Sequence, residues 1–296
     1  MQLVKYQGTD GALTVNGGAK TAADIVKATI GEKQDRRGSI PIVFGKNYPI
    51  VGDLIPSYSK SDQIAVIFDQ TGSMKKWPKV FIQELPKLMS KESGLDRYSA
   101  NYEIAWGAIG DARNKEKYPV QLCGFTSNIT EAKISLDSLV LEGNGGSNRG
   151  ESYDLGLYGL ASRLRPAQNR PGFVIILGDE PYFNDTKPSE VSSYFSERQK
   201  FGSIVESCEA IRAKNFEIYA ILRGSQNYWE RLLGQKNVSM LDSPEKVVEA
   251  IVGILASRLG RAQEYYNNLA SRVSADFARS IKTALQNLDI QPKMLR

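Results

Sequence analysis

The sequence predicts an α/β fold with a doubly wound, mainly parallel sheet and helices on both faces. Short apolar runs such as residues 63–68 are continuous rather than alternating, as in strands that are buried on both faces. Amphipathic helical patterns separate these runs along the chain, which is typical of βαβ units. The chain has 296 residues, of which 41% are hydrophobic and 24% are charged, so it is long enough and apolar enough to bury the core of such a fold.

The first 60 residues differ in composition from the rest of the chain. They are rich in glycine and turn signals, and they contain β-like runs such as residues 40–44 and a helical pattern near residues 22–30. We interpret this segment as an extension that pairs with the body or with a neighbour. In the body, strands are expected at residues 63–68, 103–109, 119–125, 172–177 and 217–222. Helices are expected at residues 79–89, 152–164, 189–195 and 204–213.

A strong helical pattern begins at Ser243, which can cap a helix, and Pro244, which suits its first position. Apolar residues then continue at spacings of three and four as far as Leu288. This predicts one long amphipathic helix or two in series, which either pack back on the body or form a docking or oligomerisation arm. The predicted domains are an N-terminal extension (1–61), an α/β domain (62–256) and a helical C-terminal arm (257–296).

Composition narrows the chemistry of the protein. The absence of histidine excludes Ser-His-Asp hydrolysis, Cys-His nucleophiles and His-based zinc sites within the chain. Two cysteines, Cys123 and Cys208, cannot form a four-thiolate zinc site. Any bound metal should therefore be a hard cation on oxygen ligands, such as Mg²⁺, Mn²⁺ or Ca²⁺.

Charge is distributed unevenly along the chain. Of the formal net charge of +5, residues 1–60 carry +3 and residues 256–296 carry +4, against −2 for the stretch between them. Basic ends favour solubility or contact with an acidic partner or nucleic acid. The first residues lack a basic-then-apolar signal pattern, and no apolar stretch is long enough to span a bilayer. With only two cysteines, a cytoplasmic location is expected, without membrane contact.

Oxygen-bearing motifs follow two of the predicted strands. Asp69-Gln-Thr-Gly-Ser73 comes directly after residues 63–68, and Gly178-Asp179-Glu180 comes directly after residues 172–177. Ligands in an open parallel sheet bind at the carboxyl ends of strands, so Asp69, Thr71, Ser73 and Asp179 can face one point. Four such oxygens make an incomplete shell for Mg²⁺, which needs six ligands. Water or a partner's carboxylate would complete it.

The first motif resembles the D-x-[ST]-x-S signature of the von Willebrand factor type A (vWA) domain, its metal-ion-dependent adhesion site. The resemblance covers about residues 62–256. It implies that the metal ligands include Ser147, from a glycine-rich loop at residues 143–150, and Asp179, after the fourth strand. Gly178-Asp179-Glu180 stands where many members have Thr-Asp-Gly. Residues expected behind the ligands are Asp111, Asn148, Glu151 and Glu180.

The resemblance implies a non-catalytic function, namely metal-dependent protein binding. Hydroxyl ligands leave the cation under-neutralised, so an acidic side chain of a partner protein can complete its shell. Relatives inside bacteria often work with AAA+ ATPases or in larger assemblies, and a homo-oligomer formed through the C-terminal arm is a further expectation.

Two other function classes remain open at this point. Asp69-Gln-Thr-Gly-Ser73 also resembles the nucleophile motif of the haloacid-dehalogenase superfamily, in which Asp69 would attack a phosphoryl group. Against this reading, Thr71 stands where its phosphatases have a general-acid Asp, and no lysine lies just before Gly178. Nucleic-acid binding through the basic ends is the third class, although the sequence contains no recognisable base-reading module.

Overall fold

The computed structural model describes residues 5–6, 12–15, 18–21, 42–44, 54–55, 60–114, 116–143, 150–167, 170–224 and 227–288. Two sheets are present in these parts. A small antiparallel sheet pairs β1 (Lys5–Tyr6) with β2 (Ala12–Val15) and β2 with β3 (Gly18–Thr21). The predicted helix near residues 22–30 lies outside the described residues.

The main sheet has seven strands among the described residues. They are β4 (Ile42–Phe44), β5 (Asp62–Asp69), β6 (Tyr102–Ile109), β7 (Val120–Leu122), β8 (Gly172–Gly178), β9 (Phe216–Leu222) and β10 (Val238–Met240). Their spatial order is β10-β9-β8-β5-β6-β7-β4. The pairs from β10 to β6 are parallel, whereas β7 runs antiparallel to both β6 and β4. The predicted doubly wound, mainly parallel sheet is confirmed.

Helices cover both faces of this sheet. They are α1 (Trp77–Glu84), α2 (Ile129–Asp137), α3 (Tyr153–Arg163), α4 (Pro188–Phe195), α5 (Ile204–Ala213), α6 (Asn227–Leu233), α7 (Val247–Arg258), α8 (Ala262–Arg272) and α9 (Ala275–Ala284). Local sequence explains several of their starts, since Pro78 and Pro188 lie in the first turns of α1 and α4. Ser203 caps α5 by accepting a hydrogen bond from the Glu206 N–H.

The two cores follow from the alternation of side chains along each strand. In β5, Val66 and Phe68 pack with α1, α2 and α7 on one face, whereas Ala65 and Ile67 pack with α3 to α6 on the other. Every residue of β5 is buried. The continuous apolar run in the sequence therefore reflects a strand with a helix layer on each side.

The C-terminal helices belong to the first of these cores. Instead of one or two helices the chain forms three, and it breaks after α7 at Gly260, whose φ of +71° suits glycine. The apolar stripe packs inward. Its residues Leu269, Ile281 and Leu285 are fully buried in the core that contains α1, α2 and α7. A free docking or oligomerisation arm therefore does not describe α8 and α9, since the apolar side chains it would use already contact the body.

Ser243 is a second correction to the sequence prediction. A short 3₁₀ turn (Pro244–Lys246) precedes α7, and the Ser243 side chain makes no capping hydrogen bond to it. The Ser243 hydroxyl instead bonds the side chain of Glu245. In the part of the chain that the structure describes, no helix is long and apolar enough to cross a membrane.

Candidate metal centre

Asp69 and Asp179 lie at the carboxyl ends of neighbouring strands. Asp69 is the last residue of β5, and Asp179 directly follows β8, which pairs with β5 in parallel. From β5 the chain continues to β6 on one side, and it later returns to β8 on the other side. The two aspartates therefore flank the switch point of the sheet, where open α/β folds bind their ligands.

The segment after β5 turns two hydroxyl groups towards these carboxylates. The Thr71 N–H and hydroxyl both donate to Asp69 Oδ1, at 2.7 and 2.6 Å. Thr71 Oγ1 lies 3.1 Å from Ser73 Oγ, and the Ser73 hydroxyl donates to Asp179 Oδ1 at 2.8 Å. Four oxygen atoms thus form a continuous row from one strand end to the other.

The donor set fits a hard divalent cation. Ligands about 2.1 Å from Mg²⁺ in an octahedron lie about 3.0 Å from one another along its edges. Successive oxygens in the row are separated by 2.6, 3.1 and 2.8 Å, so they are spaced like neighbouring ligands of one ion. Two carboxylates and two hydroxyls are all oxygen donors, which suits Mg²⁺, Mn²⁺ or Ca²⁺.

Tyr153 fixes the orientation of the Asp69 carboxylate. Its hydroxyl donates to Asp69 Oδ2 at 2.8 Å, so both oxygens of this fully buried carboxylate are hydrogen-bonded. Gly178 makes the contact possible, because a Cβ at this position would lie only 1.9 Å from Tyr153 Oη. The glycine that precedes Asp179, a departure from the Thr-Asp-Gly pattern, therefore has a steric reason.

Burial works against ionisation of this centre. Desolvation, with a smaller contribution from the Asp179 charge, raises the pKa of Asp69 to about 7, although hydrogen bonds from Thr71 and Tyr153 act to lower it. Desolvation also raises the pKa of Asp179, with the Ser73 hydroxyl and the Arg223 charge opposing this effect. A cation among these oxygens would supply the charge compensation that the buried carboxylates lack.

Further carboxylates lie behind Asp69. Glu151 is fully buried, and neither of its carboxylate oxygens has a hydrogen-bond partner among the described residues. Burial, with the charges of Asp69 and Asp111 adding to it, raises the pKa of Glu151 to about 9. Burial likewise raises the pKa of Glu116 to about 8. The centre is therefore surrounded by more carboxyl groups than Asp69 and Asp179 alone, and burial favours the protonated form of these additional groups.

The other predicted residues differ in their placement. Asp111 closes a turn, since its Oδ1 accepts hydrogen bonds from the N–H groups of Arg113 and Asn114. The Glu180 carbonyl accepts a hydrogen bond from Trp229 Nε1 at 3.1 Å. Ser147 and Asn148 lie outside the described residues, so the third hydroxyl ligand stays a prediction. Nowhere in the described ranges do three or more His, Cys, Asp or Glu side chains form a metal-holding group, so the candidate donors are the mixed set above.

Three residues at the centre were missed by sequence reasoning: Tyr153, Arg223 and Trp229. The Arg223 Nη1 donates to the Ser73 carbonyl at 2.6 Å and lies 3.4 Å from Asp179 Oδ2. Trp229 packs edge-on against Tyr153, with ring centroids 4.9 Å apart. Each residue reaches the centre from an element far away in sequence. The one local signal was the position of Tyr153 at a predicted helix start beside Glu151.

The placement of the motifs along the main sheet agrees with the vWA resemblance. Counted from β5, the Asp69 motif follows the first strand and Asp179 follows the fourth, as the resemblance implied. No protein-family model matches the sequence, and no curated protein matches it.

The solved structures that are similar to this chain include the following three. One is proximal thread matrix protein 1 from the mussel byssus with a zinc-occupied MIDAS motif, which is 13% identical over 68% of this chain and 48% of that one, with a TM-score of 0.45. A von Willebrand factor type A structure from Catenulispora acidiphila is 16% identical over 68% and 43%, with a TM-score of 0.42. The pilus adhesin SpaC from Lactobacillus rhamnosus GG is 12% identical over 90% and 33%, with a TM-score of 0.45. The match spans less than half the length of each of these chains.

Proposed function

We propose that this chain is a non-catalytic protein-binding module that depends on a divalent cation. Asp69, Thr71, Ser73 and Asp179 hold the cation, with Ser147 as a further ligand, and an acidic side chain of a partner protein completes its shell. The observation that carries the proposal is the row of four oxygens spaced 2.6 to 3.1 Å apart at the switch point of the sheet. Hydroxyl donors are neutral, and four protein ligands leave octahedral positions of the ion open to a partner's carboxylate.

Mg²⁺ is the cation we propose, with Mn²⁺ and Ca²⁺ as alternatives of the same chemistry. We also propose a cytoplasmic location and a partner within a larger assembly, such as one containing an AAA+ ATPase. Consistent with a reducing compartment, Cys123 and Cys208 are free and buried.

The geometry of Asp69 supports a ligand rather than a nucleophile. Its side chain is fully buried, and both carboxylate oxygens accept hydrogen bonds from Thr71 or Tyr153. A nucleophilic carboxylate needs an exposed oxygen in line with the phosphoryl group that it attacks. We therefore propose that the chain does not catalyse phosphoryl transfer, and we expect no Mg²⁺-dependent hydrolysis of p-nitrophenyl phosphate.

Ion pairs in the C-terminal segment favour a protein partner over nucleic acid. Four arginines of the basic C-terminal segment are paired with carboxylates of this chain: Arg258 with Glu217, Arg261 with Glu264, Arg272 with Glu249 and Arg279 with Asp276. Internal pairing reduces the positive charge that this segment offers to phosphates.

Thermal unfolding with and without divalent cations tests the proposal. Mg²⁺ or Mn²⁺ at 100 times its dissociation constant should stabilise the wild-type protein by about 2.7 kcal/mol relative to EDTA. That corresponds to a rise in Tm of about 5–10 °C for a domain of this size. Asp69→Asn should abolish the rise, because it removes the charge of one ligand.

Asp62→Asn is the matched control. Asp62 is also a buried carboxylate of β5, but it lies at the opposite end of the strand, where the Ser99 hydroxyl donates to it at 2.5 Å. The control variant should lose stability in EDTA and keep the full metal-dependent rise in Tm. Equal rises in the Asp69→Asn variant and the wild type would refute the ligand assignment.

A further inference from the structure

Arg223 places a fixed positive charge directly beside the candidate metal ligands. Its backbone N–H donates to the Gly178 carbonyl at 2.9 Å, which holds the residue next to the strand end that carries Asp179. Its Nη1 donates to the Ser73 carbonyl at 2.6 Å and lies 3.4 Å from Asp179 Oδ2. One guanidinium thus contacts two of the residues that we propose as ligands.

The Arg223 side chain is accessible from outside the centre. It is 31% exposed, whereas the side chain of Asp179 is 11% exposed. Its Cζ lies 5.8 Å from the centre of the Trp77 ring, at the start of α1, which helps to hold the guanidinium in place. An incoming group at the metal centre would therefore meet Arg223 as well as the cation.

Two exposed lysines close to Ser73 in the chain add further positive charge. Lys75 and Lys76 lie two and three residues after Ser73, and both are exposed. Lys76 pairs only loosely with Glu245, at 4.0 Å. Lys75 has a φ of +52°, an uncommon conformation for a residue with a side chain. Backbone strain of this kind concentrates at functional sites.

We propose that Arg223 is a second anchor for the partner's carboxylate and that the partner segment is acidic. The proposal rests on the proposed function, because the carboxylate meets Arg223 only when it also binds the cation. A carboxylate has two oxygens, so one can complete the metal shell while the other accepts a hydrogen bond from the guanidinium. The positive charges of Lys75 and Lys76 then attract further acidic side chains of the same segment.

This role has two consequences of opposite sign. The guanidinium charge repels a cation at Asp179, so Arg223 weakens binding of the metal alone. The same charge attracts the acidic ligand, so Arg223 strengthens binding of the partner once the metal is present. If Arg223 merely supported the fold, its removal would weaken both the binding of the metal and the binding of the partner.

Titration of the full chain with Mn²⁺ alone, followed by calorimetry, tests the first consequence. Arg223→Ala should bind Mn²⁺ about threefold more tightly than the wild type at 0.15 M salt, with a larger difference at lower salt. Arg223→Lys keeps the charge and should bind Mn²⁺ like the wild type. Arg279→Ala is the matched control, since Arg279 is an exposed, ion-paired arginine on α9.

The second consequence is tested with a fluorescein-labelled peptide of six glutamates in the presence of Mn²⁺, with six glutamines as the control peptide. By fluorescence anisotropy, Arg223→Ala should lower the affinity for the glutamate peptide about tenfold, and Arg279→Ala should leave it unchanged. Arg223→Lys should give an intermediate affinity, because it retains the charge but not the planar fork of donors.

The outcomes separate this proposal from the one on which it rests. If the wild type binds no Mn²⁺, the metal-dependent function fails and the anchor role fails with it. If the wild type binds Mn²⁺ but Arg223→Ala binds it no more tightly, or binds the glutamate peptide as the Arg279→Ala control does, only the anchor role is overturned. Should Arg223→Ala not fold, Arg223→Lys decides by its peptide affinity, and a wild-type value would overturn the role.

Discussion

Asp154 shows how a buried carboxylate makes stability depend on pH. It lies in the first turn of α3 and is fully buried, and desolvation raises its pKa to about 8 although the Arg113 charge opposes the shift. The nearest guanidinium nitrogen of Arg113 is 3.4 Å away. Between about pH 4 and pH 8 the folded protein therefore holds a proton that the unfolded chain has released. Over that range the contribution of Asp154 to the free energy of unfolding falls as the pH rises.

Asp154→Asn should remove this pH dependence. The amide is neutral at every pH, so the variant should gain stability relative to the wild type as the pH rises from 5 to 8.5, by about 4 kcal/mol. Urea unfolding at several pH values in EDTA measures the difference. Asp276→Asn is the control, since the Asp276 side chain is 89% exposed. Parallel stability curves for the wild type and Asp154→Asn would contradict the prediction.

At the candidate site, sequence reasoning reached the residues that are close together in the chain or at strand ends. Asp69, Thr71 and Ser73 lie two residues apart, and the parallel sheet brings Asp179 to the same edge. Tyr153 and Arg223 could not be assigned in the same way. Their contacts depend on how α3 packs beside Gly178 and on where the chain turns after β9, which no local pattern encodes.

Strands and helices with a strong apolar pattern were located correctly from the sequence, whereas short or polar elements were not. Strands β5, β6, β8 and β9 lie where continuous apolar runs indicated them. Helix α2 was not predicted, because most of its residues are polar, although Asn128 caps it by accepting hydrogen bonds from two backbone N–H groups. Strand β10 was not predicted either, because three residues are too few to show a period.

Gly253 lies in the middle of α7, where the side chains of Tyr265 and Leu285 pack closely against the helix. Replacing a mid-helix glycine by alanine normally stabilises a protein by about 1 kcal/mol. Here the added Cβ would lie 2.3 Å from Leu285 Cδ1 and 2.8 Å from Tyr265 Cε1, so these fully buried side chains would have to shift. Gly253→Ala should therefore destabilise the protein by about 1–3 kcal/mol in urea unfolding.

Gly124→Ala is the control for this packing effect. No atom lies within 4 Å of the Cβ position at Gly124, so this substitution should change stability little. Stabilisation by Gly253→Ala would show that α7 does not pack closely against α8 and α9.

At the scale of the whole molecule, the C-terminal helices are either required for the domain to fold stably or dispensable for it. The sequence alone left both answers open, because a long apolar stripe suits either packing on the body or assembly with another chain. Tyr265, Leu269, Ile281 and Leu285 are all fully buried in the core that α1 and α7 share. Fully burying one such side chain contributes about 1.5–3 kcal/mol. Four of them together match a large part of the usual 5–15 kcal/mol stability of a native protein.

Removal of residues 262–296 should therefore destabilise the body rather than change only its oligomeric state. The deletion exposes the apolar face of α7, so the shortened chain should lose its cooperative thermal transition or unfold at least 10 °C lower, and should aggregate in light scattering. Removal of residues 289–296 alone is the control, because it keeps α8, α9 and the buried Leu288, and its Tm should match that of the full chain. A shortened chain ending at residue 261 that stays monomeric with a nearly unchanged Tm would contradict this prediction. The C-terminal helices would then be dispensable for folding and available for assembly.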